Sequence, residues 1–262
     1  MSGTNAIMLE AKYRTWAMAS AVAGRAVRAQ SRIRRAFYPG KDDGQDTVIL
    51  IHGLWMGSSC MRVLGRLYAQ ANHRVVFMDY LCDTDPSAIY RTISTHVARA
   101  NALGSRAHLV GHSCGGVLAV SSWLQSAGHL AVDSILCLGS PLNGSQAARR
   151  LLAHPAGKRV LGRTGELLVH PVPGDRPNRG IHVPRIAMLA GTRPVGAARW
   201  LGAVSDQSDG TVELAETRWP GLDQHVAIDC THRGLVHWPH VAALAVAFTE
   251  GHALPTTNLS HA

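Results

Sequence analysis

"GHSCGG", residues 111–116, sets six small or polar residues between two largely apolar runs, "AHLV" (107–110) and "VLAV" (117–120). The first run reads as a strand, and "VLAVSSWLQ" (117–125) continues as a helix. Gly111-x-Ser113-x-Gly115 between a strand and a helix predicts a sharp turn with its central residue strained at the apex. The flanking positions crowd against that apex and must be glycine or similarly small. Two side chains here could act as a nucleophile, Ser113 and Cys114. The apex position selects Ser113. Cys114 opens the helix, so its backbone N–H rather than its thiol would face a substrate. A helix N-terminus can also activate a thiol, which keeps a reactive Cys114 as an alternative.

Outward from this turn the chain alternates strands and helices. "TVILI" (47–51), "RVVFM" (74–78), "AHLVG" (107–111), "SILCLG" (134–139), "RIAMLAG" (185–191) and "HVAID" (225–229) read as six strands. Helices are expected over 60–71, from Pro86 to about Leu103, and near Pro239. Most strand runs are unbroken apolar stretches, as strands covered on both faces should be. This order predicts an α/β fold with a doubly wound, mostly parallel sheet. The chain divides into a basic N-terminal helical extension (1–45), the main domain (46–251) and a C-terminal tail (252–262). Residues 141–183 break the rhythm with "SQAARRLLAH" and then "HPVPGDRPNRG", dense in Pro, Gly and charge. Following the fourth strand, this insertion could lie over the carboxyl edge of the sheet as a small helical lid. The competing reading is a surface excursion without function.

The totals fit one large domain: 262 residues, 46% hydrophobic. The net charge of +9 is compatible with an acidic partner, yet no nucleic-acid motif accompanies it. Five cysteines without a CxxC pair suit a reducing compartment, and a cytoplasmic location is expected. No stretch approaches the ~20 apolar residues of a spanning helix. "WAMASAVAG" after Lys12 and Arg14 is a weak match to a signal peptide. The alternative is a basic helix that packs on the domain or makes peripheral contact with an anionic membrane.

A serine nucleophile needs a base, and the base needs an orienting acid, in the chain order Ser, Asp/Glu, His. Among 15 histidines, position must choose. His232 follows the sixth strand directly, whereas His237 and His240 fall near the last helix. The loop after the fifth strand, "SDQSDGTVELAET", offers Asp206, Asp209 and Glu213. Asp209 is preferred because the following glycine permits a tight turn, with Asp206 as the fallback; a solvated turn former is the plain alternative. A second oxyanion donor is expected in "IHGLW" (51–55), where the N–H of Leu54 is the candidate and His52 braces the loop.

With "VILIHGLW", "HLVGHSCGG", "LGSPLNGS", "SDGTVELAET" and "THRGLVHWPHV…FTEG" in order, the chain resembles the α/β-hydrolase superfamily over about residues 46–251. In particular it resembles bacterial lipase/esterase-like proteins related to GPI-inositol deacylases. The resemblance implies Ser113 as nucleophile, Asp209 as acid and His232 as base. The oxyanion would be held by the N–H groups of Leu54 and Cys114, in a two-step cleavage of a carboxylic ester without cofactor or metal. Two positions depart from the family pattern: Cys114 stands where an aliphatic is usual, and Arg233 where Ser or Thr more often follows the histidine.

Other readings stay open. Acyl transfer or thioester hydrolysis would use the same residues. A non-catalytic interaction module would not need them. Cys230, His232, His237 and His240 crowd within eleven residues, but their spacing fits no standard zinc pattern. Leu54, Trp55, Met56 and Leu142 near the proposed edge suggest an acyl or aryl ester or a lipid. Arg149, Arg150, Lys158 and Arg159 hint at an anionic group.

Overall fold

The computed structural model describes residues 45–176, 183–200 and 202–255. The expected N-terminal helix before residue 45 and the tail from 256 lie outside them. Six strands, β1 (Thr47–Ile51), β2 (Arg74–Met78), β3 (Ala107–His112), β4 (Ser134–Leu138), β5 (Arg185–Gly191) and β6 (Gln224–Ile228), form one sheet. Their order is β2-β1-β3-β4-β5-β6, and every neighbouring pair is parallel.

Alternation along each strand explains the unbroken apolar runs. Ile49 and Ile51 of β1 join one core, while Val48 and Leu50 join the other. The first core is closed by α2 (Pro86–Ala102) and α3 (Cys114–Gln125), which supply Ile89, Ile93, Val117 and Trp123. The second is closed by α1 (Arg62–Gln70) and a C-terminal helix, Pro239–Thr249, through Leu64, Tyr68, Val241 and Phe248. With both faces covered, a polar side chain on a central strand needs a partner, as His108 on β3 finds in the Ser134 hydroxyl.

Several boundaries shift by a residue or two, those of β3, β4 and β6 among them. Residues 58–61 form a 3-10 turn, and the α-helix starts at Arg62 rather than Cys60. In the insertion, α4 (Gln146–Leu152) was expected, but α5 (Gly157–Gly165) was not. The chain leaves β1 toward β2 and leaves β3 toward β4, in opposite directions from adjacent strands. Such a switch point opens a crevice at the carboxyl edge. The loop after β1 and the turn at Ser113 meet there. No helix among the described residues is long and apolar enough to cross a membrane.

Candidate active site

Ser113 stands between β3 and α3 with φ 54° and ψ −121°, a conformation that L-residues seldom adopt. Its N–H donates to the Leu138 carbonyl at 2.8 Å, which ties the turn to β4. The flanking glycines are required by contact: a Cβ on Gly115 would lie 2.1 Å from the Ile51 oxygen, and one on Gly111 2.3 Å from the Gly116 nitrogen.

Asp209 and His232 meet on the same edge. Asp209 Oδ2 lies 2.6 Å from His232 Nδ1, and the His232 N–H donates to the Asp209 carbonyl at 2.9 Å. The other carboxylate oxygen, Oδ1, accepts from the Thr211 and Val212 N–H groups at 3.0 and 2.8 Å. With Asp209 accepting, Nδ1 carries the proton and Nε2 is left as the basic nitrogen. The other acids in this loop are engaged elsewhere. Asp206 is exposed and pairs with Arg199 at 2.5 Å, and Glu213 accepts from the Ser205 N–H and hydroxyl.

Two residues that sequence reasoning did not single out complete this region. Gly139, just after β4, has φ 56°, and a Cβ there would lie 3.0 Å from Asp209 Oδ2 and 3.2 Å from His232 Nδ1. A strand ending in Gly-Ser-Pro was the available signal. His112 is fully buried, and its Nε2–H donates to the His232 carbonyl at 3.0 Å. Its ring lies 4.6 Å from that of His232. Burial first, and then the neighbouring His232, hold its pKa well below the usual imidazole range, so His112 is neutral.

The loop after β1 is held by His52. Its Nε2 accepts from the Tyr80 N–H at 3.3 Å, so Nδ1–H donates to the Gly53 carbonyl at 2.8 Å. Tyr80 stacks on the ring, with centroids 4.3 Å apart, and its hydroxyl donates to the His52 carbonyl at 2.8 Å. In a trans peptide, a carbonyl fixed on one side turns the following N–H to the other. The Leu54 N–H is therefore oriented by His52. Gly53 itself abuts the turn, since a Cβ on it would lie 3.1 Å from Ser113 Cβ.

Cys114 is fully buried, and burial pushes its thiol up to about 12. Burial disfavours the thiolate there, which favours Ser113 over Cys114 as the nucleophile. Leu142 is likewise buried in the core and does not line the edge. Among the basic residues of the insertion, Arg149 donates to the Val169 carbonyl, Arg150 to that of Gly202, and Lys158 lies 3.6 Å from Glu166. Among the described residues, no group of three or more His, Cys, Asp or Glu side chains is placed to hold a metal ion. Cys230, His232, His237 and His240 do not assemble as such a set. One turn along α3 from Ser113, Val117 borders a cleft of about 400 Å³ that is also lined by Tyr90, Leu167 and Val172, with Arg163 and Glu166.

A six-stranded parallel sheet with helices on both faces and a strained residue between β3 and α3 defines an α/β-hydrolase architecture. The model of the alpha/beta hydrolase family matches residues 48–258, and the chain belongs to that family. No curated protein matches it in sequence. Among solved structures it is similar to the mature lipase BlEst2 of Bacillus licheniformis, with 18% identity and a TM-score of 0.64 over 81% of this chain and 95% of that one. It is also similar to a soluble variant of monoglyceride lipase from Saccharomyces cerevisiae, with 12% identity and a TM-score of 0.56 over 84% and 91% of the two chains. At these identities the likeness is one of fold.

Proposed function

We propose that the protein is a serine hydrolase that cleaves carboxylic esters through an acyl-enzyme on Ser113. The observation that carries this reading is the Asp209–His232 pair, 2.6 Å apart and buried, on the edge where Ser113 is held at φ 54°.

In this mechanism Ser113 Oγ attacks the ester carbonyl while His232 Nε2 takes its proton. The imidazolium that forms is stabilised by Asp209 Oδ2 on Nδ1. The negative oxygen of the tetrahedral adduct is met by the N–H groups of Leu54 and Cys114, each worth on the order of 3 kcal/mol in related chemistry. Collapse breaks the carbon–oxygen bond to the alcohol, which leaves with the proton from His232. Water then gives its proton to His232, attacks the acyl carbon and frees the acid, restoring Ser113. Every proton in this cycle is carried by side chains of the chain itself.

The lipase names of the two similar structures support an ester or lipid substrate. The finer likeness, to lipase/esterase-like proteins related to GPI-inositol deacylases, rests on the sequence motifs. Hydrolysis of a p-nitrophenyl ester series by wild type and Ser113→Ala tests the reading. Release by wild type and none above background by Ser113→Ala is expected; equal rates would overturn it. Product analysis with added alcohols separates hydrolysis from acyl transfer.

A further inference from the structure

We propose that α5 is a fixed buttress of the oxyanion loop rather than a moving lid, with Trp55 as the positioning residue that joins the two. The inference rests on the serine hydrolase reading and adds the form in which the substrate arrives.

Three contacts connect α5 to Leu54 and Cys114, which bear the two proposed N–H donors, and to Trp55 beside Leu54. The Trp55 indole N–H donates to the Val160 carbonyl at 2.9 Å. Trp55 has φ 58°, a left-handed conformation that an aromatic residue holds only when its surroundings impose it. It directly follows Leu54 in the turn that the Met56 N–H closes on the Gly53 carbonyl, and the indole bond ties that turn to α5. Leu54 packs on the last turn of α5, where a Cβ on Gly165 would lie 2.9 Å from Leu54 Cδ2. The Cys114 thiol lies 4.0 Å from the Thr164 carbonyl, one residue earlier on the same turn.

That turn is itself fastened down. The Thr164 N–H donates to the Cys82 carbonyl and its hydroxyl to the Thr84 carbonyl, both at 2.8 Å, and Arg163 pairs with Asp85. The start of the insertion is held to the acid loop, with the Asn143 N–H on the Glu216 carbonyl and the Gln146 N–H on its carboxylate, at 2.8 and 2.5 Å. Swinging α5 away would break the Trp55 and Thr164 hydrogen bonds and strip the packing from Leu54 and Cys114 together. An open lid would therefore leave the oxyanion loop held by His52 and Tyr80 alone. With α5 in place both proposed donors keep their packing, and the substrates this arrangement suits are esters taken singly from water rather than esters that need a lipid surface to open it.

The test is the rate of fluorophosphonate labelling at Ser113, resolved into a limiting rate (kinact) and an affinity (KI). Wild type, Trp55→Phe and Gly165→Ala are compared, with active-site titration and melting temperatures as controls. Trp55→Phe keeps the ring and loses the N–H. Gly165→Ala drives a methyl against Leu54. The expected result is a kinact lowered by about tenfold in each variant, with KI within about twofold, because the loss is in transition-state stabilisation. Wild type should label equally fast with and without phosphatidylcholine vesicles. Wild-type kinact in both variants, or acceleration of wild type by vesicles, would overturn the buttress while leaving the hydrolase reading intact. Failure of folded wild type to label at Ser113 would overturn the hydrolase reading itself.

Discussion

The Asp209 carboxylate is divided between His232 and its own turn. Oδ2 holds Nδ1 of His232 at 2.6 Å, while Oδ1 accepts the N–H groups of Thr211 and Val212. Asp209 is a turn former that is buried rather than solvated, and the same carboxylate reaches His232. The backbone hydrogen bonds fix the carboxylate plane, so Oδ2 meets the imidazole without further ordering.

Asp209→Asn should separate those two tasks. The amide oxygen can still accept from Thr211 and Val212, so the melting temperature should change little. Its NH₂ would then face Nδ1 and force the other tautomer, leaving Nε2 protonated and unable to act as base. A fall in kcat/KM of about 10³–10⁴-fold is expected from steady-state kinetics.

Gly139→Ala should damage the same pair from behind. The substitution puts a Cβ on a residue at φ 56°, 2.6 Å from Leu235 Cδ1 and 3.0 Å from Asp209 Oδ2. The left-handed backbone alone costs about 1–2 kcal/mol. Thermal unfolding should show at least that loss. Activity should fall further than stability, because the displaced atoms are those that hold His232.

His112→Leu should weaken the support of His232. The substitution leaves the His232 carbonyl without the donor it now has at 3.0 Å, at a cost of about 1–3 kcal/mol in chemical denaturation. A lowered kcat with KM unchanged is the expected kinetic result.

The strands were legible because burial on both faces leaves an uninterrupted apolar run, and β1, β2 and β5 have the bounds read from the sequence. Ser113, Asp209 and His232 were nominated from loop positions, which a parallel sheet sets by its connectivity. The helix α5 was not legible. "GKRVLGRTG" holds three glycines, and Gly162 within it is non-helical at φ 64° and ψ 177°. Such a segment is helical through its packing on residues 54–55 and 82–84, not through propensity. Trp55 was read as one apolar residue at the edge, because nothing local announces an aromatic at positive φ. His112 was hidden for a similar reason: its partner is a backbone carbonyl 120 residues away.

Acid should destabilise the fold through histidines remote from the site. His108 on β3 is fully buried, with Nδ1 2.8 Å from the Ser134 hydroxyl. Burial lowers its pKa from 6.5 to about 4. The folded state keeps it neutral while the unfolded state takes up a proton below pH 6.5. Its contribution is therefore fully present above about pH 6.5 and is lost as pH falls toward 4. At 1.36 kcal/mol per pKa unit the loss is about 3 kcal/mol. Denaturant midpoints from pH 7 to 4 should fall for wild type and fall less for His108→Asn.

The central claim, that Ser113 is the activated nucleophile, is tested most directly by intact-mass analysis after fluorophosphonate treatment. The account predicts one adduct on wild type, one on Cys114→Ala and none on Ser113→Ala. An adduct that persists on Ser113→Ala, or its absence from folded wild type, would contradict the account.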